Sequence, residues 1–407
     1  MLALPTAAIE VDSGSFFAIV TVAAVAAITV AAVPKRFAPP VVVVELMLGI
    51  LIGPEVLGLA HNDDFVEFFS NLGLGMLFFF AGYEIDFQRI KGAPLRLGAL
   101  GWLLTVILAY GLGGILAAAG VVVSFLYTGS AMATTAIGTL IPILRDNGEL
   151  KTRFGTHLLA AGGAGEFGPI LLVTLVLSTT NPFREAAILL AFVALALVLA
   201  LVSVRFAWRG WPALERTFEA SSQLAVRITV VLVFGLVLLA GTLGLDILLG
   251  GFVAGMITRL ALKGQELQIF ESKLTAVGFG FFVPFFFVAS GIDFDLAALG
   301  SAEAIAKLFL FLGLFLVVRG VPAMLLYRRV LSARDRMALA FYCATELPLV
   351  VAITTIAIDA GKMHSSTAAG LVGAAMLSTL IYPFVGMALR SGADPEPAPL
   401  AQPKPAA

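Results

Sequence analysis

The chain has 407 residues, of which 60% are hydrophobic and only 13% charged, and its mean hydropathy is +1.03. Since soluble domains are about 45–50% apolar, this composition predicts a polytopic membrane protein. The formal net charge of −1 identifies no partner, and the single cysteine, Cys343, excludes an internal disulfide bond. Without a Gly-rich phosphate loop, a His-Glu-x-x-His motif or a basic patch with aromatics, we expect no enzymatic activity, no cofactor and no nucleic-acid binding.

Apolar segments long enough to cross a bilayer, which takes about 20 residues in a helix, recur along the chain. They predict an all-α protein with thirteen spans, over residues 14–33, 40–58, 65–86, 95–119, 121–144, 154–178, 185–207, 222–241, 244–262, 273–292, 303–327, 335–358 and 366–389. The first segment lacks a basic N-terminal region, so we interpret it as a retained span. The transmembrane domain is predicted over 1–390, and the Pro- and Ala-rich residues 391–407 as a disordered tail.

The basic residues predict the orientation of the spans. Nearly all of the 25 Lys and Arg residues fall in alternate loops and in the tail, whereas the intervening loops hold only Arg184, Lys307 and Lys362. Loops rich in Lys and Arg stay in the cytoplasm. We therefore expect a multi-pass cell-membrane protein with its N-terminus outside and its C-terminus in the cytoplasm.

Span 5 has two threonines, Thr134 and Thr135, at its centre, with glycines and a proline around them. This pattern favours a helix that is broken in mid-membrane, where backbone carbonyls are exposed to an ion. The alternative is that both hydroxyls bond back to carbonyls of their own helix.

Span 6 has a single acidic residue, Glu166, near its centre. A charged side chain there costs about 2.5–3.5 kcal/mol on insertion scales, so the pattern indicates an ion or proton site. The alternative is a structural acid that pairs with a basic residue. Pro169 follows in the same span, and a proline frees a helical carbonyl that can face a cation.

Span 11 contains Arg319, and a buried arginine needs an acidic partner. The available acids are Glu166, Glu346 in span 12 and Glu45 in span 2. Glu45 is equally consistent with a side chain that extends to the cytoplasmic interface. Span 12 combines Glu346 with a threonine and a proline at mid-depth, as span 5 combines its threonines with a proline. Spans 4–6 and 11–13 therefore predict two inverted repeats, each with a broken middle helix.

Six segments, in this order and spacing, resemble the second branch of the monovalent cation:proton antiporters, which includes sodium/proton and potassium efflux antiporters. They are residues 45–54, ending in Gly-Pro, and residues 75–86, 134–137, 250–255, 285–293 and 344–348. The resemblance implies an inverted-repeat fold with a mobile core bundle, a dimerising scaffold and two broken crossing helices. Glu166 stands where the family has its ion-binding aspartate, and Gly165 stands where the family has a preceding acid or amide.

The sequence and the resemblance together predict a secondary active antiporter, with a role in pH homeostasis, that exchanges Na⁺ or K⁺ for H⁺ by alternating access. Glu166 is expected to bind either the monovalent cation, assisted by carbonyls near Thr134 and Thr135, or a proton. Arg319, Glu346 and Glu45 form the supporting charge network, and one acid with one arginine predicts electroneutral exchange. The alternatives are a sodium-coupled organic anion symporter and a membrane scaffold or sensor without transport.

Overall fold

The computed structural model describes residues 12–34, 39–84, 90, 92–176, 223–243, 247–261 and 265–390, with short runs between 187 and 205. The regular structure of these residues is helical. The helices are α1 (Ser13–Ala32), α2 (Val41–Ile52), α3 (Asp64–Glu84), α4 (Ala93–Ala118), α5 (Phe125–Met132), α6 (Ile137–Asp146), α7 (Arg153–Val176), α8 (Leu224–Thr242), α9 (Ile247–Ala261), α10 (Gln265–Val277), α11 (Val283–Ile292), α12 (Leu296–Leu299), α13 (Ala302–Leu326), α14 (Ala333–Cys343), α15 (Pro348–Asp359) and α16 (Ser365–Arg390).

The helices follow the predicted spans closely. Seven helical stretches are long and apolar enough to cross a membrane, and three shorter apolar helices accompany them in the described residues. Predicted span 40–58 is too long, because α2 ends at Ile52 and the chain turns from Gly53. Predicted span 273–292 matches an apolar stretch over Glu271–Ile292, although the helix that leads into it begins at Gln265. This stretch passes through a π-helical turn over Gly278–Phe282. Span 185–207 lies largely outside the described residues, and the predicted tail 391–407 lies entirely outside them.

Both predicted helix breaks are present. Span 5 is divided into α5 and α6 by residues 133–136, and span 12 into α14 and α15 by residues 344–347. Each broken pair lies between two long helices in sequence, α4 and α7 in the first case and α13 and α16 in the second. This matching order agrees with the predicted pairing of spans 4–6 with spans 11–13.

The helices pack as two groups. In one group α3 packs on α9 and α11, and α2 packs on α11; in the other, α4 to α7 pack with α13 to α16. The α3–α9 contact is made between backbones, since a Cβ atom at Gly82 would overlap the carbonyl of Phe252 and one at Gly255 would overlap that of Phe79. Small residues allow such close approach in membrane helices. The second group contains both broken helices and is described next.

Candidate functional site

The two helix breaks meet at the centre of the second group. The amide of Ala136, in the first break, donates a hydrogen bond to the carbonyl of Thr345 in the second break, over 2.8 Å. The hydroxyl of Thr135 donates to the carbonyl of Cys343, the last residue of α14, over 2.6 Å. Each break thus supplies some of the hydrogen bonds that the backbone of the other loses where its helix is interrupted. Such bonds are needed because a membrane offers no water to replace them.

The first break is also attached to α7. The amide of Thr135 donates to the carbonyl of Gly165, with 3.0 Å between nitrogen and oxygen. This is the carbonyl that Pro169 leaves without its helical donor, because a proline has no N–H for the residue four positions earlier. In this structure the freed carbonyl accepts a hydrogen bond from the broken helix, and its predicted part in binding a cation stays a prediction.

Arg319 lies between the breaks and is only 4% exposed. Its guanidinium donates to neutral acceptors on four segments: Thr135 Oγ1 (2.5 Å), Thr105 Oγ1 (3.2 Å), and the carbonyls of Cys343 (3.2 Å) and Ala161 (3.3 Å). Among the described residues it forms no direct ion pair. The expected direct pairing with an acid is therefore not found among these residues, because hydroxyls and carbonyls take four of the five N–H groups of the guanidinium.

Gly165 gives the guanidinium of Arg319 access to α7. A Cβ atom at position 165 would overlap Arg319 Nη2 and would lie 2.7 Å from Thr135 Oγ1. The missing side chain, which the sequence presented as a departure from the family pattern, is therefore required by the packing of Arg319.

Glu166 is the next residue on α7 and is 5% exposed. Its Oε2 atom has no hydrogen-bond partner in the protein. The neighbouring Phe167 stacks on Phe252 of α9, with ring centroids 5.0 Å apart, so this part of α7 borders the other helix group. Glu166 is therefore on the part of α7 that meets the other helix group, directly after the residue that binds the first break.

Glu346 lies within the second break and is fully buried. Ser378 accepts a hydrogen bond from its amide, and Ser378 and Thr379 donate to its carbonyl. Neither carboxylate oxygen has a hydrogen-bond partner of normal geometry, although the Thr134 hydroxyl and the Arg319 guanidinium interact with it electrostatically. Of the three acids considered for Arg319, Glu346 thus interacts with it through longer-range electrostatic attraction, without a direct hydrogen bond or ion pair.

Glu45 lies on α2, in the other helix group, and its Oε2 atom also has no partner. It is 3% exposed, so its side chain does not extend to a solvated interface as one interpretation had it. No described hydrogen bond or ion pair joins it to the two breaks, and its predicted part in the charge network stays a prediction.

The two threonines have different partners. The hydroxyl of Thr134 bonds back to the carbonyl of Ala131 in the preceding half-helix, over 3.0 Å. The hydroxyl of Thr135 accepts from Arg319 and lies within hydrogen-bond distance of two carbonyls, those of Cys343 (2.6 Å) and of the preceding Thr134 (2.9 Å). The alternative of self-bonding threonines therefore describes Thr134, whereas Thr135 also binds other segments. Both remain candidate ligands through their carbonyls.

Residues that the sequence did not single out complete this region. They are Thr105, Ser378 and Thr379, already described, and Trp102, whose indole N–H donates to the carbonyl of Ala133 over 3.3 Å. Trp102 and Thr105 are three residues apart on α4, which puts both on one face of that helix. That spacing was the only feature of the sequence that could have pointed to these two residues, but many apolar helices share it.

The groups at the crossing are carboxylates, hydroxyls and carbonyls. Such oxygen atoms suit hard cations, and a buried carboxylate also accepts a proton. Among the described residues there is no group of three or more His, Cys, Asp or Glu side chains that could hold a metal ion. Oxygen atoms of these kinds suit reversible binding of a small cation or a proton.

A bundle of apolar helices around two helices whose breaks meet, with buried carboxylates nearby, defines the fold of this membrane protein. The sodium proton antiporter MjNhaP1 from Methanocaldococcus jannaschii has this fold: it superimposes with a TM-score of 0.62 at 17% identity, over 93% of this chain and 97% of its own.

Sequence comparison identifies the family. Residues 20–388 match the family described as "Sodium/hydrogen exchanger, transmembrane", and the chain belongs to that family. It is 25% identical to the putative Na⁺/H⁺ antiporter YjbQ of Bacillus subtilis over 364 residues, which are 84% of this chain and 58% of YjbQ. It is 28% identical to the Na⁺/H⁺-K⁺ antiporter GerN of Bacillus cereus over 272 residues, which are 65% of this chain and 68% of GerN. The resemblance drawn from the motifs is confirmed.

Proposed function

We propose that this protein is a secondary active antiporter that exchanges Na⁺ or K⁺ for H⁺ across the cell membrane by alternating access. The family supports this proposal, as do the antiport activities for which YjbQ and GerN are named. The observation that carries it is Glu166, a buried carboxylate with an unpartnered oxygen on an apolar helix.

The mechanism is competition for Glu166. Its carboxylate binds either a proton or a monovalent cation, and carbonyls of the first break, near Thr134 and Thr135, supply further oxygen ligands to the cation. An unneutralised carboxylate is costly to carry through the membrane, so the site crosses only when loaded. This condition couples the two fluxes. Because Glu166 borders the junction of the two helix groups, relative motion of those groups exposes it to one side at a time.

Charge counting supports electroneutral exchange. Glu166 holds one proton or balances one cation, while the Arg319 guanidinium stays charged in both states. The loaded site therefore has the same net charge with either substrate. Glu346 and Glu45 complete the charge network in this proposal without exchanging a proton during the cycle. We further propose that the protein is a homodimer with its N-terminus outside and its C-terminus in the cytoplasm.

Glu166→Gln tests the proposal, because it keeps the size of the side chain and removes its charge and its titration. Purified protein in proteoliposomes is given a Na⁺ or a K⁺ gradient in separate experiments, and proton flux is followed with a trapped pH dye. We expect flux in the unmodified protein, none in Glu166→Gln, and normal flux in Glu67→Gln, which removes an exposed carboxylate of α3.

Three outcomes would contradict the proposal. Normal flux in folded Glu166→Gln removes the site assignment. An unmodified protein that folds but moves no proton with either cation supports a scaffold or sensor. Flux that needs an organic anion together with sodium supports the symporter.

A further inference from the structure

The hydrogen bond between α7 and the first break depends on Pro169. In an uninterrupted helix the amide of residue 169 would donate to the carbonyl of residue 165. Proline has no such amide, and its ring also crowds that carbonyl and turns it away from the helix axis. The Gly165 carbonyl consequently accepts from the Thr135 amide of another segment, over 3.0 Å.

This bond fixes the first break beside the carboxylate. Gly165 precedes Glu166 directly, and Thr135 follows Thr134, whose carbonyl is a candidate ligand of the cation. The distance between the ligand oxygens of the break and the carboxylate therefore depends on a contact that only the proline makes possible. Thr135 has a second contact, in which Arg319 Nη2 donates to its Oγ1 atom. That contact restrains the side chain of Thr135, whereas only the bond to Gly165 holds its backbone amide.

We propose that Pro169 is a positioning residue of the cation site: by freeing the Gly165 carbonyl, it docks the first helix break against Glu166. This inference rests on the proposed function, since it assigns Pro169 a part in binding the same cation. The proposed role concerns the affinity of the site for the cation. It assigns Pro169 no part in stabilising α7.

Pro169→Ala separates the two roles. Alanine restores a helical amide at position 169, which competes with the Thr135 amide for the Gly165 carbonyl. Because alanine favours a helix interior far more than proline does, the variant should fold and should be at least as resistant to heat as the original protein. We expect the apparent KM for the cation to rise about fivefold, equivalent to one hydrogen bond, with little change in maximal rate.

Amide hydrogen exchange measures the docking independently of transport. In Pro169→Ala, the peptide that covers residues 133–137 should exchange faster than in the unmodified protein, with other helices unchanged. The matched control is Pro383→Ala in α16, another proline inside a helix. The carbonyl that Pro383 frees, at Thr379, accepts no hydrogen bond from another element in the described part of the chain. This control should leave the cation KM and the exchange of residues 133–137 unchanged.

The inference is supported only if KM and exchange change together in Pro169→Ala and not in Pro383→Ala. An unchanged KM overturns it, as does a changed KM with unchanged exchange at residues 133–137. An equal change in both variants also overturns it, because any proline would then have the effect. If the unmodified protein moves no cation, the proposed function fails, and faster exchange in Pro169→Ala would still show that the docking bond exists.

Discussion

The guanidinium of Arg319 lies in the space that a side chain at position 165 would need. Gly165 is one residue before the candidate ion-binding acid, and a Cβ atom there would overlap Arg319 Nη2. Through this gap the guanidinium bonds to Ala161 on α7 and to Thr135 in the first break. The Arg319 guanidinium therefore links α13 to α7 and to the first break, at the residue that precedes Glu166.

Gly165→Ala should destabilise the protein by about 1–3 kcal/mol, the usual cost of overpacking, because the methyl group must push Arg319 away. Gly313→Ala in α13 is the matched control, since a Cβ atom there meets open space. It should be neutral or slightly stabilising. Reversible unfolding in detergent measures both changes.

A double-mutant cycle tests whether Gly165→Ala acts through the guanidinium. With Arg319→Ala in the background, the overlap with Nη2 is removed and only the close approach to Thr135 Oγ1 remains, so the cost of Gly165→Ala should shrink. Equal costs in both backgrounds would mean that the glycine is needed for some other contact.

Exchange should be electroneutral, with one proton per monovalent cation. Under a given sodium gradient, the pH gradient reached at steady state in proteoliposomes should therefore be the same with and without a membrane potential imposed with valinomycin. A strong dependence on voltage would show that a second acid titrates in the cycle. Glu346 would then be the first residue to examine, since it is fully buried in the second break.

The orientation can be measured by cysteine labelling in intact cells. Asn62 and Asn147 are both exposed, in the loops before α3 and after α6 respectively. We expect Asn62→Cys to react with an impermeant maleimide added outside, and Asn147→Cys to react only after permeabilisation. Cys343 is buried and supplies a low background. The reverse accessibility would overturn the orientation and leave the fold unaffected.

Arg390 should stabilise the second helix group at the end of α16, the helix that it terminates. Its guanidinium makes a two-point contact with Glu149, at 2.9 Å for each pair of atoms, a further bond to Asp335, and a contact with the Phe154 ring. All three charged side chains are less than one-fifth exposed. Arg390→Ala should therefore cost about 1–3 kcal/mol, between the values for surface and buried pairs.

Arg329→Ala is the control for Arg390→Ala, because Arg329 is exposed. Thermal unfolding in detergent should separate the two variants clearly. Equal midpoints would mean that the contacts of Arg390 contribute nothing measurable.

The sequence alone determined the spans, the two breaks and the intramembrane acid. Bilayer thickness sets the length of an apolar segment, so α1, α3 and α16 could be placed from composition within a few residues. The helix breaks could also be predicted from the local sequence, since threonines or an acid next to proline weaken a helix wherever it packs. Glu166 stood out because a charge inside an apolar segment is costly in any membrane fold.

Only the tertiary structure decided which groups bind one another at the crossing. Arg319 bonds to residues 24 to 214 positions away, and no local pattern distinguishes a guanidinium held by threonines and carbonyls from one held by an acid. For the same reason the Gly165 carbonyl could be recognised as free but its partner, Thr135, could not. Hydrophobicity adds up along the chain, whereas a hydrogen bond depends on the distance and direction between atoms that packing alone brings together.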